Sequence, residues 1–149
     1  MLNKPLNIAV AGLLVLFAAL YVYTSKQEDN YAQTAVPWME QNLPEITTWE
    51  IDQTWNRLAP EAKAIIDRRQ LDAILNQYEL MGIYQGMENP EFSRLASALS
   101  LFSGDAKINY SAKLHFSNAD AILTITLVQR QGEFMIYNMN MGEMTTPQQ

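Results

Sequence analysis

Leu6–Tyr23 has the sequence LNIAVAGLLVLFAALYVY, an apolar run without a charged residue. These eighteen residues, at about 1.5 Å each, would form roughly 27 Å of α-helix, close to the thickness of a bilayer's hydrocarbon core. Tyr21 and Tyr23 close the run, where aromatic side chains typically meet lipid headgroups. The stretch therefore predicts one transmembrane helix, and the rest of the chain would be organised around this anchor.

A cleaved signal peptide is the main alternative, because a basic start before a short apolar run also fits that class. Ala18, Ala19 and Leu20 lack the small-x-small spacing of a cleavage site, so we expect an uncleaved anchor. Lys4 precedes the run without an acid, whereas acidic residues follow Lys26 almost at once. The positive-inside tendency then predicts a bacterial inner-membrane protein with a cytoplasmic N-terminus and a periplasmic domain.

The anchor divides the chain into four segments. We assign residues 1–24 to the cytoplasmic N-terminus and anchor, 25–36 to a juxtamembrane tether, 37–142 to a periplasmic α+β domain, and 143–149 to a polar tail. Residues 25–30, SKQEDN, are also compatible with a continuation of the membrane helix. About 125 residues after the anchor are enough for one domain with its own core and too few for two.

The composition excludes several classes of function. The chain has 16 acidic and 10 basic residues, a formal charge of −6 and no basic cluster, so we expect no nucleic-acid partner. It has no cysteine, which excludes disulfides, thiol catalysis and cysteine-ligated metal sites. We predict no cofactor.

Helical patterns occupy the first half of the domain. Thr47 and Glu50 have the T-x-x-E spacing of a capping box, which predicts a helix start. The apolar residues that then recur at helical spacing are Ile51, Trp55, Leu58 and Ala62. Pro60 breaks or restarts that helix.

The next helix has clear signals at both ends. Asp67 and Gln70 form a second capping signal, and Gly82 is well placed as the stop. The apolar stripe between them consists of Leu71, Ile74, Leu75, Tyr78 and Met81.

Strand patterns occupy the second half of the domain. Lys107–Phe116 alternates between apolar and polar residues, and Ala121–Arg130 and Glu133–Met141 are joined by a two-residue Gln-Gly connection. These runs predict an antiparallel meander. Phe92–Ser103 fits either a helix or a strand. Helices followed by an antiparallel sheet define an α+β fold, with the helices packed on one face of the sheet.

Two groups of motifs carry a family resemblance. Residues 55–63 (WNRLAPEAK) are followed by QL at 70–71 and MG at 81–82; residues 110–116 (YSAKLHF) are followed by AI at 121–122, LV at 127–128 and GEFMI at 132–136. Their order resembles the nuclear transport factor 2-like superfamily, above all its small bacterial periplasmic members, over roughly Trp38–Met141. Phe134 stands where the family pattern usually has Trp. The resemblance implies a cone of helices on a curved antiparallel sheet, often with a pocket and often dimeric, and it implies no particular reaction.

Few side chains are candidates for chemistry. Trp55, Tyr78 and Tyr110 are the candidates for lining a pocket, although such tyrosines are more typical of core rings. Asp52 lies beside the apolar stripe of its helix. His115, the only histidine, falls on the polar side of its strand and has no acid partner evident from the sequence. We therefore predict no catalytic residue and no enzyme activity.

Methionines are concentrated near the C-terminal end. The four are Met135, Met139, Met141 and Met144. Thioethers bind Cu(I), so this edge is a candidate copper site, although we predict no resident metal. The alternative is that Met135, Met139 and Met141 share one face of the last strand and fill an irregular gap or contact a partner.

These features predict a non-catalytic, membrane-anchored accessory, assembly or scaffold subunit of an inner-membrane complex. Leu6–Tyr23 would contact membrane lipid, and the domain would join a membrane-protein complex or a homodimer. One alternative is a module that binds a small ligand or Cu(I) in the cone or at the methionine-rich edge; another is a small isomerase or hydrolase of the same fold. A deep cavity lined by Tyr78 and Tyr110 would favour the alternatives, whereas a cone filled with side chains would favour the first hypothesis.

Overall fold

The computed structural model describes residues 4–144 of the chain, so the first three residues and residues 145–149 of the predicted polar tail lie outside the described part. The helices are α1 (Lys4–Ala32), α2 (Ala35–Ile46), α3 (Ile51–Trp55), α4 (Pro60–Lys63), α5 (Arg68–Tyr78) and α6 (Arg94–Ser100). The strands are β1 (Tyr84–Phe92), β2 (Ile108–Phe116), β3 (Asp120–Arg130) and β4 (Glu133–Glu143). Short 3-10 turns, Glu79–Met81 and Leu101–Ser103, follow α5 and α6.

Helix α1 is long and apolar enough to span a membrane, and none of its most apolar window is buried within the protein. A signal sequence near the N-terminus can also be this long and this apolar. The helix runs through SKQEDN without a break and ends at Ala32. Of the two alternatives for that segment, the structure therefore has the continuation of the helix.

The C-terminal half of α1 packs on the domain. Thr24 is buried, Leu20 and Glu28 are half-buried, and these three lie four residues apart, so they share one helix face. On the same face, the ring of Tyr31 lies 6.0 Å from that of Phe92 at the end of β1. The N-terminal part of α1 has no such cover.

The four strands form one antiparallel meander in the order β1-β2-β3-β4. The alternation predicted for Lys107–Phe116 is confirmed, because every second residue of β2 from Ile108 to Phe116 is buried. Gln131 and Gly132, with φ of 56° and 82°, make the tight connection from β3 to β4. Positive φ at both central residues is the geometry that matches the twist of a two-residue hairpin.

Helices cover the buried face of this sheet, which confirms the α+β prediction. The fully buried residues that form the core include Leu43, Ile46, Leu75, Leu114, Leu123, Ile125 and Ile136. Trp49, between α2 and α3, lies with its ring 5.9 Å from Phe116 in a stacked arrangement and 5.5 Å from Tyr78. Residues of α2, α5 and the sheet therefore meet in one apolar core.

The predicted capping box at Thr47 and Glu50 is wrong. The hydroxyl of Thr47 donates to the carbonyl of Leu43 at 2.6 Å and so belongs to the end of α2, and the side chain of Glu50 caps nothing. Between them Trp49 adopts φ of 63°, which places its ring against Phe116. Packing of a large aromatic ring has overridden a local capping signal.

The helix predicted to follow is also shorter than its apolar spacing indicates. Helix α3 ends at Trp55, since the residues that follow hydrogen-bond to β4. The amide of Ala59 donates to the carbonyl of Ile136 at 2.8 Å, and the amide of Ile136 donates to the carbonyl of Arg57 at 2.7 Å. Pro60 then begins α4, in the helix position that best tolerates proline.

The signals around α5 are confirmed. Asp67 accepts from the amide of Gln70 at 2.8 Å, and the side chain of Gln70 accepts from the amide of Asp67 at 3.0 Å, which completes a capping box. Gly82 stops the helical segment with φ of 93°. The ambiguous stretch Phe92–Ser103 is resolved as the last residue of β1 followed by α6 and its 3-10 turn.

Candidate functional site

An apolar cleft of about 440 Å³ lies between the short helices α3–α5 and the edge strand β4. Its apolar lining includes Leu58, Ile65, Ile66, Leu71, Ile74 and Met139. After α3 the chain leaves the helical path and forms a parallel bridge between Leu58 and Ile136, and Leu58 lines the cleft beside this bridge. A concave, largely apolar surface of this size is typical of small-molecule sites.

The polar residues that line the cleft are Thr54, Tyr78, Tyr137 and Asn138. Thr54 lines it, and the fully buried hydroxyl of this residue has no hydrogen-bond partner in the described part of the chain. Tyr78 also lines it; its phenolic oxygen accepts from the amide of Met141 at 3.3 Å, which leaves the phenolic proton free to be donated. The arrangement can hold a small apolar molecule that carries one hydrogen-bonding group.

Only one of the three predicted pocket residues reaches this cleft. Tyr78 lines it, whereas Trp55 lies outside, with the cations of Lys63 and Arg68 at 5.5 and 5.4 Å from its ring. Tyr110 is in the core, with its ring 5.5 Å from that of Phe92. Burial, with a smaller contribution from Glu28 and Tyr31, raises the pKa of Tyr110 to about 12, and its hydroxyl has no partner among residues 4–144. Trp55, Tyr78 and Tyr110 are therefore not brought together.

His115 has two acid partners that were not evident from the sequence. On the polar face of the sheet its Nδ1 lies 2.9 Å from an oxygen of Asp120, and its Nε2 lies 2.7 Å from an oxygen of Glu88. The hydrogen bonds to Asp120 and then to Glu88 raise the pKa of His115, and the imidazole in turn lowers the pKa of Asp120. Lys113 Nζ lies 3.6 Å from Asp120 and completes a charged cluster.

This cluster is separate from the cleft. His115 belongs to the residues of β2 that alternate with the buried ones, so it lies on the opposite face of the sheet from the helices. Asp52, the other acid considered from the sequence, is exposed and pairs with Arg68 at 2.5 Å. Within residues 4–144, no three of the His, Asp and Glu side chains are grouped so that they could hold a metal ion.

The structure divides the methionine-rich edge between two faces of β4. Thr126 pairs with Asn138 while Leu127 pairs with Ile136, so Tyr137 is an extra, bulged residue. The bulge reverses the alternation and puts Met135 on the opposite face from Met139 and Met141, so the prediction that these three share one face is wrong. Met141 is buried in the core and Met144 is exposed, so the four sulfur atoms do not converge.

A second concentration of contacts joins α1 to α6. The guanidinium of Arg94 forms an ion pair with Glu28, in which Nε lies 2.6 Å from the carboxylate, and it also lies 5.3 Å above the ring of Tyr21. Ser97 and Leu101 border a small cavity together with Thr24 of α1. The sequence contains no signal for this contact, because Arg94 and Glu28 are 66 positions apart in the chain.

Comparison of the chain with protein-family models, with curated proteins and with solved structures found no match.

Proposed function

We propose that the protein is a single-pass membrane protein of the bacterial inner membrane, with its N-terminus in the cytoplasm and its α+β domain in the periplasm. In this proposal it acts without catalysis, as an accessory, assembly or scaffold subunit of a membrane complex. The observation that carries the proposal is the continuity of α1, whose apolar part is uncovered and whose C-terminal half packs on the domain through Thr24, Glu28 and Tyr31. A domain held this way has a fixed place relative to the membrane, as a scaffold subunit requires.

The separation of the candidate reactive groups supports a non-catalytic role. Tyr110 is enclosed in the core, His115 is on the polar face of the sheet, and Tyr78 borders the cleft. General acid–base chemistry needs such groups within hydrogen-bonding reach of one substrate. A meander with helices on one face supports the further proposal of a nuclear transport factor 2-like cone.

The test is purification of the tagged, full-length protein from its own membranes in a mild detergent, with reciprocal purification through each protein recovered in stoichiometric amount. An unrelated single-pass protein with the same tag is the background control. We expect one defined membrane complex. A second preparation carries Arg94→Gln, which loosens α1 from the domain, and a third carries Arg68→Gln, which removes a comparable exposed ion pair far from α1. We expect only Arg94→Gln to reduce the recovered complex, and recovery of the protein alone or as a homodimer would overturn the proposal.

A small-ligand-binding module is the second candidate, because a fully buried hydroxyl, that of Thr54, lines the cleft unpartnered. A buried hydroxyl without a partner is costly unless a ligand or water satisfies it. Native mass spectrometry of the full-length protein should show a bound small molecule, and Thr54→Val should lower the fraction of protein that carries it. Thr48→Val is the control, since Thr48 is exposed and does not line the cleft. A ligand-free spectrum for the unmodified protein would contradict this second function.

A further inference from the structure

Helix α6 and the 3-10 turn after it have their small polar residues inside and their large apolar residues outside. Ser97 and Ser100 are buried, whereas Leu95, Leu99 and Phe102 are 72%, 57% and 78% exposed. The three apolar residues are spaced by four and then three positions, so they form one continuous stripe. In water this arrangement is unfavourable, and it is the arrangement expected of a helix that faces an apolar surrounding.

The position of α6 along α1 identifies that surrounding. Arg94 lies over Tyr21, and the small cavity at Ser97 and Leu101 is also bordered by Tyr23 and Thr24. Tyr21 and Tyr23 end the apolar run of α1, at the depth where a spanning helix leaves the hydrocarbon for the headgroups. Helix α6 therefore lies at the height of the membrane surface and not farther out.

The charge of this segment differs from that of the chain. From Ser93 to Gly104 there is no acidic residue, although the whole chain has a formal charge of −6. The cation of this stretch, Arg94, is already paired with Glu28. A surface without unpaired negative charge does not repel anionic lipid headgroups, which carry the same sign as the rest of the domain.

We propose that α6 and the turn Leu101–Ser103 form a second membrane contact, in which Leu95, Leu99 and Phe102 enter the boundary between headgroups and acyl chains. The occupant of this surface is the lipid bilayer, because α1 directly beside it presents its own uncovered apolar surface at the same height. The inference rests on the membrane anchoring proposed above. Two contacts, one spanning and one interfacial, fix the tilt of the domain and so the direction in which the cleft opens.

The chain has no cysteine, so single-cysteine variants allow the depth of each position to be measured. Leu99→Cys and Phe102→Cys are labelled with a nitrobenzoxadiazole fluorophore in the full-length protein. The proteins are reconstituted into phosphatidylcholine–phosphatidylglycerol vesicles with and without nitroxide-labelled phosphatidylcholine, and iodide serves as the aqueous quencher. Leu80→Cys is the matched control, because Leu80 is equally apolar and 79% exposed but lies beside Asn118, at the far end of the sheet from α6. Leu14→Cys, within the apolar run, reports on the anchor itself.

We expect the probes at Leu99 and Phe102 to be quenched by the lipid nitroxide and shielded from iodide, and the probe at Leu80 to show the reverse. If the probe at Leu14 is quenched by lipid while those at Leu99 and Phe102 are open to iodide, the inference fails and the anchor stands. Shielding of Leu99 and Phe102 from both quenchers would mean that protein covers α6, which also overturns the inference. A probe at Leu14 that the lipid nitroxide does not quench would remove the anchor, and the inference with it.

Discussion

Nε of Arg94 donates to a carboxylate oxygen of Glu28 at 2.6 Å, across 66 positions of sequence. The bond ties α6 to the helix that precedes the whole domain. Because the same guanidinium lies over Tyr21, one side chain contacts two residues of α1 that are about two helical turns apart. The contact converts what the sequence describes as a polar tether into a defined junction between anchor and domain.

Loss of either charge should loosen this junction. In Arg94→Gln and in Glu28→Gln we expect a broader distribution of distances between a spin label on α1 and one on the sheet, measured by pulsed electron paramagnetic resonance in lipid nanodiscs. Both side chains are roughly two-fifths exposed, so we expect little change in overall stability. The exchanged pair, Glu28→Arg with Arg94→Glu, should restore a narrow distribution. Broadening of equal size in Arg68→Gln would show that the effect is not specific to the junction.

His115 should make the stability of the domain depend on pH. Its pKa is raised in the folded protein, chiefly by Asp120, so folding favours the protonated ring. This contribution is full below the unfolded pKa of about 6.5 and is lost as the pH rises through the higher folded value. His115→Gln should therefore lower the Tm more at about pH 5.5 than at about pH 9.

The partner acid sets the lower limit of this pH window. The pKa of Asp120 is lowered in the folded state, so its contribution is present above its unfolded pKa and is lost as the pH falls through the folded value. Lys113→Gln is the control, since it removes the other cation beside Asp120 and leaves the imidazole in place, and its effect on the Tm should be flat between about pH 5.5 and pH 9. An equal loss of Tm in His115→Gln at both pH values would contradict the assignment.

The elements that could be predicted from the sequence are those with local signals. Asp67, Gln70 and Gly82 fix α5 through contacts within a few residues, and the alternation of β2 directly reports its buried face. Strand β1 was not predicted, because its alternation is broken by two register shifts. Asn89 lies in β1 with φ of 50°, which is typical of a bulge rather than a regular strand.

The features of the candidate site that were missed depend on contacts between distant segments. Glu88 reaches His115 only because β1 pairs with β2, so this acid partner, unlike Asp120 directly before the predicted neighbouring strand, could not be found without β1. The bridge between Leu58 and Ile136, beside the cleft, joins distant segments, and Pro60 is the local hint that the helix breaks there. The bulge at Tyr137, which moves Met135 to the other face, arises from pairing with β3 and has no sequence signal of its own.

Gly82 should be intolerant of a side chain for two reasons. Its φ of 93° strains any L-residue, and a Cβ at this position would overlap the hydroxyl oxygen of Ser117, which accepts from the amide of Ile83 at 2.8 Å. Backbone strain alone typically costs about 1–3 kcal/mol, and we expect Gly82→Ala to lower the free energy of unfolding by more than that. Gly104→Ala is the matched control, since Gly104 has φ of 92° and nothing within 4 Å of a Cβ. Equal losses for the two variants in urea denaturation would show that the contact with Ser117 relaxes without cost.

Thr54 should be a position where removal of a hydroxyl stabilises the ligand-free protein. Thr54 and Thr47 are both buried, but only the hydroxyl of Thr47 has a partner, the carbonyl of Leu43 at 2.6 Å. Replacing a buried, unpaired hydroxyl by a methyl group removes a desolvation penalty of about 1–3 kcal/mol, whereas breaking a made hydrogen bond costs about 1 kcal/mol. In chemical denaturation of the ligand-free protein we therefore expect Thr54→Val to raise the midpoint and Thr47→Val to lower it. A lowered midpoint for both would mean that the hydroxyl of Thr54 is satisfied within the folded chain, and the argument for a ligand in the cleft would lose its basis.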